Sequence, residues 1–267
     1  MVMMTRRRRQ GCRLAAVMLL AACWWPLPAA GAGGQDFSRL CEELNKSGFT
    51  ILDSGVAYGV PYVRVKVPLG FSVTSFCRRI PTFEANFNSC RNRVAFFNAL
   101  HPSYVKTKVA EPFSIVADSI IIPLDLAKVP EIFPARDESL AHHDKYLLVD
   151  IGKGFLALYE RGNLRRVYPV SAGAPGKKTP LMDFRIQRKA ETHWSTIYDT
   201  LMPWALLLRQ PYYIHGGALP GRDDSAGCIR LFTHDAKELY HQVEVGTPGR
   251  IISTPKLEKI YSAPFCR

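Results

Sequence analysis

The stretch YLLVDIGKGFLALYERGNLRRVYPVSAG, residues 146–173, decides the fold class. It divides into YLLVDI, FLALYE and RRVYPVSAG, each of strand length, rich in β-branched and aromatic residues, with GKG and RGN between them. Gly and Asn provide the backbone freedom that tight turns need, so runs punctuated this way read as successive strands. Further strand-length segments follow: DFRIQRK (183–189), PYYIHG (211–216), GCIRLF (227–232) and GTPGRIIS (246–253). One helix interrupts them, THDAKELYHQVEV (233–245). Thr233 is its expected N-cap, and Asp235 falls in the first turn, where the helix dipole favours an acid. Ala236, Leu239, Tyr240 and Val243 share one face. This half of the chain is therefore mainly β, with a single late helix.

Upstream, from about Phe37 to Pro134, the apolar runs are shorter and broken by Gly, Pro and Asn: YVRVKVPLG (62–70), RVAFFNALHP (93–102), DSIIIPLDLA (118–127). A charged segment, ARDESLAHHDK (135–145), separates the two halves. The chain has 267 residues, 47% of them hydrophobic, enough for one large domain or two modest ones with ordinary cores. At the start, a basic segment with four adjacent arginines precedes LAAVMLLAA (14–22), an apolar run too short to span a bilayer, and then a small-x-small site at Ala30 and Ala32. This is the pattern of an export signal over residues 1–32. LAAC (20–23) also matches a lipobox, which would lipidate Cys23; cleavage near Ala32 is the preferred reading. The first 32 residues hold five arginines and no acid, so a formal charge of +12 falls to +7 in the exported chain. That surplus suits an anionic envelope polymer and equally describes a soluble basic surface. No basic helix or regular aromatic-basic interleaving marks a nucleic-acid reader.

Of 7 cysteines, Cys12 and Cys23 lie in the signal, leaving Cys41, Cys77, Cys90, Cys228 and Cys266. An odd number in an oxidising compartment points to a free thiol. If Cys228 is that thiol, the preferred pairing is Cys77–Cys90, closing a local loop, with Cys41–Cys266 tying the ends together; the other two pairings remain open. No Cys-x-x-Cys or closely spaced His pair joins these residues, so no zinc site is expected. His142 and His143, in the charged segment, are expected simply to be exposed.

Cys228 sits in SAGCIR (225–230), thirteen positions after His215 in YYIHGG (212–217). A free thiol is mostly protonated near neutral pH, and a neighbouring imidazole can accept that proton, forming an ion pair, and later protonate a leaving amine. A strand ending in IHG and one beginning with GCIR, joined by GALPGRDDSA, bring the two residues side by side. Gly227 permits a tight turn that aims its own N–H and that of Cys228 at a developing oxyanion. A buried cysteine beside a core histidine is the bland alternative.

IHGG, then SAGCIRL, then a helix and VGTPGRIIS together resemble the L,D-transpeptidase (YkuD-type) catalytic domain. So do the opening strands over 147–173, KKTPLMDFRIQRK (177–189) against TPxGxFxI, and MPWALLL (202–208) against MPY. The resemblance covers about residues 144–254. It implies Cys228 as nucleophile, His215 as base, the Gly216 carbonyl as orienter of the imidazole, and Ser225, Gly227 and Arg230 as the S-x-G-C-[IV]-R frame. Ala226 stands where the family often has histidine, TPLMDF lacks the usual glycine, and the loop from His215 to Cys228 is short. Arg230 is a candidate for a substrate carboxylate, or else for a salt bridge supporting the loop. Trp204, Tyr212 and Tyr213 are candidates for the peptide groove, with packing expected for two of the three. Asp223 and Asp224 are expected in a solvated turn.

The family implies attack on the carbonyl of the third residue of a peptidoglycan stem peptide and expulsion of the terminal D-alanine. The thioester then passes to an amine, either a diamino acid of a neighbouring stem (a 3→3 cross-link) or a lysine of an envelope protein. Carbapenem acylation is expected, and no metal or organic cofactor is needed. Water as acceptor would make an L,D-carboxypeptidase; an inactive wall-binding protein is the rival from another class. VKVPLGFSV (65–73), FFNALHPS (96–103) and SIIIPL (119–124) loosely resemble a lysin-motif carbohydrate-binding module, with Phe71 replacing its polar residue. The expected organisation is a signal over 1–32, an accessory α+β domain over 33–135, a connector over 136–143, the catalytic domain over 144–254 and a tail over 255–267. The fold class is mainly β, a β-rich α+β protein whose catalytic β-sandwich carries one main helix. Contact with a membrane is expected only through the signal or a lipid on Cys23, and the location is the periplasm or cell envelope.

Overall fold

The computed structural model describes residues 34–84, 87–100, 102 and 119–255. The signal segment, Cys23, Cys266 and most of the tail lie outside them, so export, lipidation and the Cys41–Cys266 pairing fall there too.

The N-terminal block begins with helix α1 (Gly34–Lys46) and a hairpin of β1 (Ile51–Ala57) and β2 (Val60–Lys66). Helices α2 (Val73–Arg79), α3 (Pro81–Glu84) and α4 (Phe87–Phe97) follow, then β3 (Ser119–Pro123), antiparallel to β2. α2 starts where Ser72 accepts from the Ser75 N–H at 3.0 Å, satisfying a donor the helix leaves unpaired. Val63, Val65, Phe76, Phe83, Val94, Ile120 and Ile122 form this block's core. The expected Cys77–Cys90 disulfide joins α2 to α4 inside it.

Two sheets make the second block. In one, β6 (Asn163–Pro169), β5 (Phe155–Glu160), β4 (Lys145–Asp150), β12 (Pro248–Ile252) and β7 (Met182–Arg185) lie in that order. In the other the order is β11 (Ile229–Leu231), β10 (Tyr212–Gly216), β9 (Thr200–Arg209), β8 (Arg188–Ser195). Helix α5 (Thr233–Gln242) closes the sandwich, and Leu147, Leu156, Leu206, Ile214, Ile229, Leu231 and Leu239 fill it. The N-cap of α5 is Phe232, with no side-chain bond, and not Thr233. The Phe232 backbone (ψ 142) is still non-helical and Thr233 is already the first helical residue, so the helix starts one residue earlier than a Thr233 cap would set it.

β5 explains how the blocks join. Leu156 and Leu158 face the sandwich, while Phe155, Ala157 and Tyr159 face Phe96 of α4 together with Ile132 and Phe133. A strand covered on both faces reads as a continuous apolar run, which is why FLALYE shows no alternation. The 136–143 segment is not a loose connector. Asp137 N–H donates to Gly162 O at 2.8 Å and Leu164 N–H to Ala135 O at 2.9 Å, clasping the β5–β6 turn. His142 is exposed as expected, but His143 is half-buried and stacks on Tyr146, 5.1 Å between ring centres.

Candidate active site

β10 and β11 run parallel, with Ile214 beside Ile229 and His215 beside Arg230. Ile214, Ile229 and Leu231 point into the sandwich core. Strand alternation therefore sends Tyr213, His215, Cys228 and Arg230 to the opposite face. Cys228 precedes Ile229, so it stands beside Tyr213 and diagonally across from His215. Diagonal neighbours in a sheet lie about 7–8 Å apart, a gap that long or aromatic side chains cross. Cys228 is a buried free thiol packed with Met202, Ala205, Leu207 and Tyr213. It opens onto a cavity of about 150 Å³ whose walls also include Arg188, His193 and the tip of the β8–β9 hairpin. Over that tip, Trp194, Ile197, Tyr198 and Leu201 are exposed, and the Tyr198 hydroxyl donates to Ala226 O at 3.3 Å.

The His215 Nδ1 lies 2.9 Å from Gly216 O. A carbonyl only accepts, so the Nδ1 carries the hydrogen and Nε2 keeps a lone pair. Burial, with smaller contributions from Arg230 and His193, pushes the imidazole down to about 4, although the Gly216 bond opposes the shift. Burial raises the Cys228 thiol, opposed by the Tyr213 amide and by Arg230. Both shifts favour a neutral thiol beside a neutral imidazole. They run against the ion pair expected from the sequence, because burial penalises the charged form of each group.

The backbone around the thiol is held by two hydroxyls. Ser225 Oγ accepts from the Gly227 N–H at 3.0 Å and donates to Cys228 O at 2.5 Å. Thr179 Oγ1 accepts from the Gly173 N–H and donates to Gly227 O, both at 2.9 Å. The Gly227 N–H is thus spent on Ser225, and the expectation that it aims at an oxyanion is not met. Gly227 needs its glycine: its φ is +115°, and a Cβ would lie 3.0 Å from the Tyr212 ring. Ser225 is almost fully buried and serves the loop, not the cavity. Thr179 escaped the sequence reading as a site residue, although the TPLMDF segment that carries it was singled out.

Trp204, a candidate for the peptide groove, is not among the residues lining the cavity. Its side chain, in phase with Leu206 and Leu208, faces the core, against Tyr240 at 5.4 Å and under Lys237 at 5.2 Å, and its backbone is left-handed (φ 56°). Met202, on the near side of that twist, keeps the cavity face. Tyr213 does line the cavity and Tyr212 packs on Gly227. Arg230 lies 3.8 Å from Asp224, whose other oxygen meets Arg222 at 3.4 Å. Asp223 accepts from the Ala172 N–H at 2.8 Å. The two acids fasten the loop and are not simply solvated. Among the described residues no group of three or more His, Cys, Asp or Glu is gathered to hold a metal ion.

The sequence model of the YkuD L,D-transpeptidase catalytic domain matches residues 144–251. A Bacillus licheniformis protein named as an L,D-transpeptidase, YkuD, is 32% identical over 140 residues, covering 51% of this chain and 74% of its own. Among solved structures, the L,D-transpeptidase (Yku) of Stackebrandtia nassauensis is 24% identical with a TM-score of 0.41, over 45% of this chain and 60% of that one. An L,D-transpeptidase of Xylanimonas cellulosilytica, residues 123–326, is 18% identical with a TM-score of 0.46, over 69% of this chain and 98% of that one.

Proposed function

The chain belongs to the L,D-transpeptidase family of enzymes, and on that premise we propose that Cys228 and His215 perform acyl transfer on peptidoglycan stem peptides. The observation that carries this reading is the Gly216 carbonyl on His215 Nδ1, which leaves the Nε2 lone pair on the sheet face where the Cys228 thiol meets the cavity. Nε2 takes the thiol proton as sulfur bonds to the carbonyl carbon of the third stem residue. The carbonyl oxygen gains the negative charge. The Gly227 carbonyl and the Cys228 N–H belong to one planar peptide and point opposite ways. Thr179, gripping that carbonyl, therefore turns the Cys228 N–H outward as the oxyanion donor. As the tetrahedral centre collapses, the C–N bond breaks and the imidazolium gives its proton to the departing D-alanine amine. An acceptor amine then loses a proton to Nε2, attacks the thioester and releases the thiol.

A diamino acid of another stem, giving a 3→3 cross-link, or an envelope-protein lysine is the acceptor in this scheme. Hydrolysis by the same site is the second reading, supported by the protected but still open cavity. Export to the periplasm or envelope agrees with the signal-like start and the basic charge. The N-terminal block is read as an accessory, glycan-binding domain, on the packing of α2 against α4 between the antiparallel strands β2 and β3, with the short α3 as an addition to the lysin-motif order.

Intact-mass analysis after meropenem treatment tests the chemistry. One acyl adduct on the native chain and none on Cys228→Ala is expected, together with D-alanine release from a tetrapeptide. An adduct that survives Cys228→Ala, or no release of D-alanine, overturns the assignment. Running the reaction with and without an acceptor stem separates transfer from hydrolysis.

A further inference from the structure

We propose that Arg188, held against the Tyr213 hydroxyl at the wall of the thiol cavity, forms a carboxylate-binding subsite that selects donor peptides with a free carboxylate close to the scissile bond. The proposal rests on the acyl-transfer reading above and names what that site selects.

The sheet register carries it. Arg188 pairs with Leu207 on β9, and Leu207 pairs with Tyr213 on β10, whose parallel neighbour on the far side is Cys228. One row across four strands thus runs from guanidinium to thiol, with strands about 4.8 Å apart. Tyr213 and Cys228 share a cluster on the cavity face, and Arg188 lines the same cavity. Arg188 Nη2 donates to Tyr213 Oη at 3.1 Å. His193 stacks on the Tyr213 ring, 4.8 Å between centres and 22° between planes, so the phenol that holds the guanidinium is itself held.

Charge balance points the same way. Among the described residues lining the cavity none is Asp or Glu, so the guanidinium faces the cavity with the Tyr213 hydroxyl as its partner. A guanidinium presents five N–H donors in a planar fork that matches a carboxylate bidentately, and Tyr213 uses only part of it. Arg230, the residue the S-x-G-C-[IV]-R frame offers for this task, is instead engaged with Asp224. A donor stem can bring a carboxylate here from two sources: the terminal residue that is expelled, or the side chain of a diamino acid at the third position. Both present the same chemistry to Arg188.

Steady-state kinetics of the full chain separate these outcomes. Three tetrapeptides are compared: one with both carboxylates free, one with a C-terminal carboxamide, and one with the third-residue side-chain carboxylate amidated. The native enzyme is expected to lose about tenfold in kcat/KM on one of the two amides, the size of one lost charge-assisted hydrogen bond. The amide that suffers identifies the source. Arg188→Gln is expected to lose the same tenfold on the free acid and to treat it and that amide alike. Arg188→Lys keeps the charge without the fork and should recover only part. Native enzyme that handles all three peptides equally overturns the subsite, as does Arg188→Gln that keeps the native preference. Meropenem acylation of Cys228, measured on the same samples, distinguishes the two failures. An adduct without discrimination sinks the subsite alone, whereas no adduct and no D-alanine release sinks the reaction.

Discussion

At the scale of single residues, burial favours the uncharged forms of both His215 and Cys228. The His215 imidazole is pushed down to about 4 from 6.5, so the folded protein takes up its proton later than the unfolded chain does. Between those values the unfolded state holds more protons, and stability rises with pH. The full difference is about 3 kcal/mol at roughly 1.4 kcal/mol for each pH unit. Urea unfolding from pH 4 to 7 should show this slope, and His215→Gln should flatten it. The acid limb of kcat/KM is expected near pH 4 and not near 6.5, while His215→Ala should cost roughly a hundred- to ten-thousand-fold in rate. Burial also raises the Cys228 thiol, so iodoacetamide should react slowly at neutral pH and faster as pH climbs past the ordinary thiol range. Thr179 grips the Gly227 carbonyl, and in the proposed mechanism it acts through that peptide and not on substrate. Loss of a whole oxyanion donor costs about a hundred- to a thousand-fold, and misaiming one costs less. Thr179→Val should lower kcat about tenfold with KM unmoved, and Thr179→Ser should restore it; a KM change with kcat intact would show that Thr179 serves binding instead.

Elements are fixed by a few polar residues that satisfy backbone groups inside the core. Asn98, after α4, donates to Val94 O at 2.8 Å and Ile121 O at 2.7 Å and accepts from the Ile121 N–H at 2.8 Å. One buried amide thus ties the end of α4 to β3. Asn98→Ala leaves the Ile121 N–H and carbonyl without this amide at about 1–3 kcal/mol each, while Val94 O keeps the Asn98 backbone N–H at 3.2 Å. A destabilisation of about 3 kcal/mol is expected in denaturant unfolding; a loss below 1 kcal/mol would mean the β3 edge is held by packing alone. The Gly227 corner works the same way, with Ser225 and Thr179 taking the amide and the carbonyl on either side of the glycine.

Across the whole molecule, the two blocks share one packed interface. Phe96 meets Phe155 edge-on at 6.4 Å, and Asn92 donates to Val167 O at 3.3 Å. Buried Arg91 lies over the Phe232 ring at 5.4 Å, in the field of Asp235 at the start of α5. Burial outweighs that attraction and lowers the Arg91 value, and it raises the Asp235 carboxyl, one of whose oxygens has no hydrogen-bond partner. Apolar packing, not this charge contact, is what holds the blocks. Truncating a buried Phe costs about 3–5 kcal/mol. Phe96→Ala should therefore split a single unfolding transition, followed by calorimetry, into two, with the N-terminal block melting first. One unchanged transition would show that the interface is not what couples the blocks.

Local information was enough for a good part of this. Strand-length apolar runs between Gly and Asn turns marked the strands, the family resemblance implied the sandwich, the period of Ala236, Leu239 and Val243 marked α5, and the closeness of Cys77 and Cys90 favoured a local disulfide. The ordered motifs around His215 and Cys228 identified the family, because chemistry constrains residue types over short stretches. What the sequence left undetermined depends on contacts between distant segments. Thr179 reaches Gly227 across 48 positions, Arg188 reaches Tyr213 across 25, and Trp204 packs against Tyr240 of α5 and away from the cavity. Burial, which sets the protonation of the imidazole and thiol, is likewise a property of the packed whole. Hydrogen bonds and desolvation act through space, and only the folded chain brings those atoms within reach.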